Sequence, residues 1–401
     1  MLIVQKYGGT SVGGLDRIEN VANRVAKARE AGHDLVIVVS AMSGETNKLI
    51  EYAQHFSKNP AKKEMDMLLS SGERVTAALL SIALQAKGYD AVAMTGRQAG
   101  IVTDDLHTFA RIESIDPTAM QNAIKEGKII VVAGFQGVNR NGSVTTLGRG
   151  GSDLSAVALA AALKADQCEI YSDVDGIYTT DPRIEPNAKK LDVISYDEML
   201  ELASLGAKVL QSRSVELAKK LNVKLYAKSS FSDDKGTLIT KENENMEAVL
   251  VSGVVLDKNQ ARVTLRGVVD RPGIAAEIFS ALADANINVD MIIQNVGSDG
   301  LTNLGFTVPQ SELENAKKLV ATFEHEIQGV DFDEHVCKVS VVGVGMKSHS
   351  GVAAMAFTVL AKSNINIQMI STSEIKISMI IDEKYGELAI RALHEAYELD
   401  K

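Results

Sequence analysis

The stretches "DLVIVVS" (Asp34–Ser40), "KIIVVAGF" (Lys128–Phe135) and "QCEIYSDV" (Gln167–Val174) constrain this chain most. Each is a short, almost continuous apolar run. The alternation of a half-exposed strand is missing, so both faces of each must be covered. "LIVQKY" at the N-terminus and "AVAMT" after Asp90 are candidates of the same kind. Helical patterns lie between them: "LDRIENVANRVAKAREAG", ending on Gly32, and "MDMLLSSGERVTAALLSIALQAKG", ending on Gly88. A third, "SDLSAVALAAALKA", opens on a Ser or Asp cap. Buried strands separated by helices predict an α/β fold, a parallel sheet between helical layers.

The character changes at "SSFSDDKGTLITKENENMEAV", where polar residues and glycine accumulate from Ser229 to Glu247. This reads as the end of a first domain, placed at 1–245, and a linker into a second region, 246–401. That region is an internal repeat. "ARVTLRGVVDRPGIAAEIFSALADANINVDMI" matches "CKVSVVGVGMKSHSGVAAMAFTVLAKSNINIQMI". Val263 pairs with Val339, Gly273 with Gly351, and Asn286-Ile287-Asn288 with Asn364-Ile365-Asn366. The offset moves from 76 to 78, so the second copy carries two extra residues before its glycine. Two small sandwiches, each of one sheet and two helices, fit copies of roughly 65–75 residues. Their bounds are about 262–333 and about 336–401, with a strand at 248–256 completing the second.

At 401 residues, two or three domains are expected. A net charge of −10 argues against a general binder of nucleic acid or anionic membranes, though not against a local basic pocket. Cys168 and Cys337 are far apart and lack metal-ligand spacing, so they read as buried thiols of a reducing compartment. Leu2–Val4 is too short for a signal-peptide core, and no segment reads as a membrane span. Cytoplasm is the expected location.

Four motifs carry chemistry. In "VQKYGGTSVGG", Lys6 ends a strand and Gly8 and Gly9 follow. Glycines let backbone approach a phosphate, and Lys6 can place a point charge on it. The alternative is a tight turn beside a surface lysine. In "TTLGRGGSDLSAVAL", Arg149 lies among Gly148, Gly150 and Gly151, suited to bidentate grip of a carboxylate or phosphate, and Asp153 could order Lys6. The alternative is a glycine loop with a helix cap. In "IYSDVDGIYTTDPR", Asp173 ends a strand, Tyr178 could stack on a base and Arg183 could meet phosphate. In "SSGERVT", Glu73 sits in a mostly apolar helical segment, where a carboxylate needs a partner. That partner is either Arg74 or the ammonium of a substrate.

"KYGGTSV", "VVSAMSGETN", "SSGERV", "TTLGRGGSD" and "SDVDGIYTTDPR", in this order and spacing, resemble the aspartokinases, members of the amino-acid kinase family. The repeats, with "RPGIAA", "NINVDMIIQN", "MKSHSGVAA" and "STSEIKIS", resemble the paired ACT regulatory domains of those enzymes. The match spans nearly the whole chain. It implies a three-layer α/β/α kinase domain of carbamate-kinase type with two ferredoxin-like α+β ACT domains. It implies ATP + L-aspartate giving ADP + 4-phospho-L-aspartate, with Mg2+ carried on the ATP phosphates and no metal ligand directly on the protein. This reaction opens lysine, threonine, methionine and diaminopimelate synthesis.

Residue by residue, the resemblance puts Lys6, Tyr7, Gly8, Gly9 and Thr10 on the phosphates. It puts Ser172, Asp173, Tyr178, Thr179, Thr180, Asp181, Pro182, Arg183 and Lys208 around the nucleotide. Glu73 takes the substrate ammonium and Arg149 its α-carboxylate, with Ser40, Thr46, Gly150, Gly151 and Ser152 beside them. Lys6, Asp153 and Arg149 are the catalytic set. A carboxylate nucleophile is already ionised at neutral pH, so no general base is needed.

Each repeat places a glycine turn before a helix, at Asp270–Ala275 and Ser348–Ala353, able to hold a free amino acid by its carboxylate. Asp290, Gln294 or Glu374 could take the ammonium; purely structural, dimerising modules are the alternative. The resemblance favours effector sites for lysine and threonine together. The expected set is Asp270, Gly273, Ile274, Ala275, Asn288, Val289, Asp290 and Gln294 in the first copy. In the second it is Ser348, Gly351, Val352, Asn364, Ile365 and Glu374. A homo-oligomer through the ACT domains is expected, and Met246 could start a separate small regulatory subunit. Competing functions are a kinase for glutamate, acetylglutamate or UMP, an amino-acid-binding regulator with a dead kinase half, and a fused aspartokinase–homoserine dehydrogenase. The last is disfavoured because no later G-x-G-x-x-G strand–helix unit follows.

Overall fold

A computed structural model describes residues 1–204, 209–242, 250–296, 300–347 and 351–401. By their contacts the residues form two units. The first holds Met1–Ile177, Lys190–Ala203 and the described part of 208–243. The second holds Tyr178–Lys189, Ser204 and the described part of 244–401.

The first unit runs β1 (Leu2–Tyr7), α1 (Leu15–Glu30), β2 (Asp34–Val39), α2 (Glu45–Phe56), α3 (Lys62–Leu69), α4 (Ser71–Ala86), β3 (Ala91–Met94), β4 (Ile101–Thr103), β5 (Ile112–Ile115), α5 (Thr118–Lys125), β6 (Ile129–Ala133), β7 (Gln136–Asn139), β8 (Val144–Thr146), α6 (Gly151–Leu163), β9 (Gln167–Ser172), β10 (Val193–Ser195), α7 (Tyr196–Ser204), α8 (Ser212–Leu221), β11 (Leu225–Ser229) and β12 (Thr237–Thr240). Its main sheet has the order β10-β12-β11-β9-β1-β2-β6-β3. Every neighbouring pair is parallel except β11 and β12. The apolar runs are thus central parallel strands. Leu35–Val39 and Ile129–Ala133 are buried along their whole length.

Helix α1 packs by periodicity: Ile18, Val21, Ala22, Val25 and Ala26 form one buried stripe. Helix α6 is different, being buried on nearly every face. Its composition of Ala, Val and Leu suits a helix enclosed by protein. A smaller sheet, β5-β4-β7-β8, was not expected from the sequence, because its strands are three or four residues long. The stretch Lys62–Ala86 has the length and hydropathy of a membrane span, contrary to the expectation that no segment does. It is half buried and carries the buried acids Asp66 and Glu73, which marks it as core helix of this unit.

The second unit continues with β13 (Gly253–Val269), α9 (Ile274–Asp284), β14 (Ile292–Val296), β15 (Leu301–Val308), α10 (Leu313–Val320), β16 (Gly329–Val342), α11 (Val352–Lys362), β17 (Ile367–Thr372), β18 (Lys376–Asp382) and α12 (Gly386–Ala396). The repeats do not build two separate sheets. They share one antiparallel sheet, β14-β15-β13-β16-β18-β17. The reason is strand length: β13 has 17 residues and β16 has 14, so each crosses both repeats. Residues 253–257 pair with the second repeat's end of β16, and 262–266 with its other end. The described part of the expected 248–256 strand therefore does pair with the second repeat, but as the start of β13. Each repeat keeps its own apolar core, one around Ile278, Leu282 and Phe306, the other around Leu360, Met379 and Leu393.

Within the stretch expected at 1–245, Tyr178–Lys189 and Ser204 group with the second unit. There the Thr179 carbonyl accepts from Val254 N at 2.8 Å, and Ile184 packs against the second repeat's core.

Candidate active site

Strand β1 lies between β2 and β9, both parallel to it, so the chain order reverses across it. Open α/β sheets bind ligands outside the carboxyl ends of strands at such a point. Backbone bonds knit these ends together: Ser40 N donates to Tyr7 O (3.1 Å), Gly8 N to Tyr171 O (3.1 Å) and Gly134 N to Val39 O (3.0 Å).

Lys6, the last residue but one of β1, has its Nζ 2.5 Å from Asp153 Oδ1, and the two side chains are about one-tenth exposed. Asp153 sits in the first turn of α6, where the helix field favours a negative charge. The pair fixes a buried cation at the switch point. Just before it, Gly148 and Gly150 flank Arg149 with φ of 81° and 73°, left-handed values that L side chains rarely adopt. A Cβ at Gly148 would lie 2.6 Å from the Phe109 ring. Arg149 itself is exposed and has no ion pair among the described residues.

Glu73 is 4% exposed in the first turn of α4. Its Oε1 accepts from Ala41 N at 3.1 Å, while Oε2 is buried without a partner. Burial pushes its carboxyl up from 4.5 to about 7, against the opposing pull of the Ala41 N–H. Arg74 is not its partner: Arg74 donates to Gln136 Oε1 and Ser70 Oγ, each at 3.2 Å. Gly72 makes the approach possible, since a Cβ there would sit 2.7 Å from that of Ala41. In "SSGERV" the sequence displays the charge of Glu73, whereas the Gly72 contact and the Ala41 amide arise only in the fold. The glycine directly before the acid was the available signal.

Lys6, Gly8, Gly9, Ser40, Glu73, Ser152, Asp153, Ser172 and the exposed Asp173 all belong to the carboxyl-end side of the first unit. Thr46 is half-buried in the first turn of α2. Three residues expected around the nucleotide have partners within the chain. The Tyr7 ring is fully buried and stacked on Tyr171 at 4.7 Å, so only its backbone faces the loop. The Thr179 hydroxyl is taken by His394 Nε2 at 2.9 Å and by Lys189 N at 3.0 Å within the second unit. Arg183 is exposed and grips Asp181, its Nη2 2.7 Å from Oδ2. Lys208 lies outside the described residues. Cys168 and Cys337 are free and buried, and burial raises both thiols, Cys337 to about 12.

In the second repeat, Gly351, Val352 and Glu374 line a cleft of about 520 Å3 with Met346, Thr372 and Ser373. Ile365 is buried in the core instead, and Asn364 holds a left-handed turn with φ of 56°. In the first repeat, Gly273 caps α9 with φ of 101° ahead of Ile274. The Asp290 carboxylate pairs through Oδ2 with Lys338, itself 3% exposed. Ser348 and Met246 lie outside the described residues.

The profile of the amino acid kinase family matches residues 1–229, and that of the ACT domain matches 263–322 and 339–397. The Helicobacter pylori aspartokinase is 59% identical over 405 residues, covering 100% of both chains. The structure of E. coli aspartokinase III in complex with aspartate and ADP superposes with a TM-score of 0.81 at 26% identity, covering 99% of each chain. The same enzyme with lysine and aspartate gives 0.80 at 27% identity, over 98% of this chain and 99% of that one. The chain belongs to the amino acid kinase family. Within that family it is one of the aspartokinases, with two ACT domains in its regulatory region.

Proposed function

We propose that Glu73 binds the α-ammonium of L-aspartate and Arg149 its α-carboxylate, aiming the side-chain carboxylate at the γ-phosphate of ATP. The observation that carries this is the buried Glu73 Oε2 without a partner. Such an oxygen is expensive unless a cation completes it, and Arg149 is a free guanidinium for the opposite charge. The acceptor carboxylate attacks γ-phosphorus, the new O–P bond forms, and the bond to ADP breaks with its electrons left on ADP. Lys6, held by Asp153, stabilises charge on the transferring group. Mg2+ arriving on the phosphates would offset their charge when bound, with Asp153 the nearest carboxylate to Lys6. A coupled assay against aspartate, glutamate and acetylglutamate tests the reading. Turnover with aspartate alone is expected, and equal turnover of the other two sinks it.

The cleft at Gly351, Val352 and Glu374 supports an effector role for the second repeat. We further propose inhibition by lysine and threonine acting together, through coupling of about 1–3 kcal/mol. Rates measured with each amino acid and with both decide it, and full activity under all three conditions removes the sensor. A cytoplasmic location fits the two free thiols. Assembly through the ACT domains, and a small subunit starting at Met246, are tested by sedimentation and by intact mass of the natively expressed protein.

A further inference from the structure

Asp66 on α3 has no exposed surface, yet nothing in the phosphoryl-transfer chemistry uses it. Its carboxylate is fully engaged. Oδ2 lies 2.6 Å from His107 Nδ1, and Oδ1 accepts from Thr146 Oγ1 at 2.5 Å and from Thr108 N at 3.0 Å. Asp66 and these partners join three segments of the first unit: helix α3, the loop before β5, and the end of β8.

Each segment leads to a substrate-binding group. One turn after Asp66, Ser70 N closes on the Asp66 carbonyl at 3.0 Å, and α4 then carries Glu73. Thr146 is followed by Leu147 and the loop that carries Arg149. The 107–109 loop presses on that same loop, because Phe109 occupies the space beside Gly148. Thr108 holds a left-handed backbone, φ 70°, costly for a β-branched residue unless its surroundings fix it. The Asp66 carboxylate does so through the Thr108 amide.

We propose that Asp66 and His107 are positioning residues that set the Arg149 loop relative to Glu73, and so fix how the two α-groups of the amino-acid substrate are held. The proposal rests on the assignment of Glu73 and Arg149 to those groups. With Nδ1–H donated to Asp66, His107 ties the loop to α3 through a charge-assisted bond. Losing that bond lets the Arg149 loop relax, while Lys6, Asp153 and the β1 loop stay in place. The effect should therefore fall on the amino acid and not on ATP.

The test is steady-state kinetics of the full chain with His107→Ala, His107→Asn and Asp66→Asn. Asparagine at 107 can still donate to Asp66 where the imidazole Nδ1 did. His107→Ala is expected to raise KM for aspartate about tenfold or more, with KM for ATP within about twofold. His107→Asn should recover most of that loss. In wild type, aspartate should outperform β-alanine, which lacks the α-carboxylate, and Asp66→Asn should narrow that advantage. Combined with Arg149→Lys, Asp66→Asn should be non-additive. Equal rises in both KM values, no recovery in His107→Asn, or simple additivity with Arg149→Lys overturns the proposal. If Arg149→Lys alone leaves aspartate saturation unchanged, the substrate assignment fails instead. Should Asp66→Asn not fold, the His107 pair decides alone.

Discussion

Glu73 combines a high cost with a clear purpose. Its folded carboxyl titrates near 7 against 4.5 unfolded, because burial disfavours the charge. Below pH 4.5 both states are protonated and nothing is lost. Between 4.5 and about 7 the unfolded chain ionises while the folded one does not, so stability falls, and the full penalty of about 3 kcal/mol stands above that range. Glu73→Gln keeps the acceptor for Ala41 N, so it should raise Tm at pH 8 but not at pH 4, as scanning calorimetry would read. The same substitution should abolish saturation by aspartate. A bound ammonium would draw the Glu73 proton off, so KM for aspartate should fall as pH rises from 6 to 8. Titration calorimetry in buffers of different ionisation enthalpy should detect proton release on binding. A flat KM over that range argues against the ammonium role. At the switch point, Lys6→Ala should lower kcat by roughly 10²–10³, since one preorganised charge is lost. Near-normal kcat in that variant would refute the role of Lys6. Arg149→Lys should raise KM for aspartate, because the planar fork is gone.

At the scale of elements, helix α4 meets the end of β2 only because residue 72 has no side chain. Gly72→Ala would drive a Cβ into Ala41 and push α4 outward, lengthening the Ala41–Glu73 bond. Aspartate KM should rise at least about tenfold while the helix itself, gaining alanine, loses no propensity. Unaltered kinetics would mean the contact yields without moving Glu73. The parallel strands and α1 were legible because burial on both faces, and the 3.6-residue stripe, are written locally. The short sheet of β4, β5, β7 and β8 was not, since strands of three or four residues carry no period. Nor did hydropathy distinguish Lys62–Ala86 from a membrane span. The difference lies in what packs around Asp66 and Glu73.

At the scale of the whole chain, the repeat was plain in sequence but its assembly was not. Matching residues announced two copies. They could not announce that β13 and β16 run on through both, making one six-stranded sheet. A core change in one repeat should therefore be felt in the other. Val339→Ala, on the shared β16, should cost roughly 2 kcal/mol and lower amide-exchange protection along β13 from Val254 to Leu265. Loss confined to residues 253–257 would show that the copies behave as independent modules. The sequence by itself determined the parallel sheet, the two copies, and which residue types stand near phosphate and amino acid, because periodicity and side-chain chemistry belong to short stretches. Tertiary structure alone decided partners. Arg74 turned to Gln136, leaving Glu73 open; Tyr7 joined the core; Thr179 went to His394; Asp66 joined Thr146 to His107. A polar group takes its partner from whatever the fold brings within about 3 Å, and for most of these pairs that neighbour is tens to hundreds of residues away along the chain.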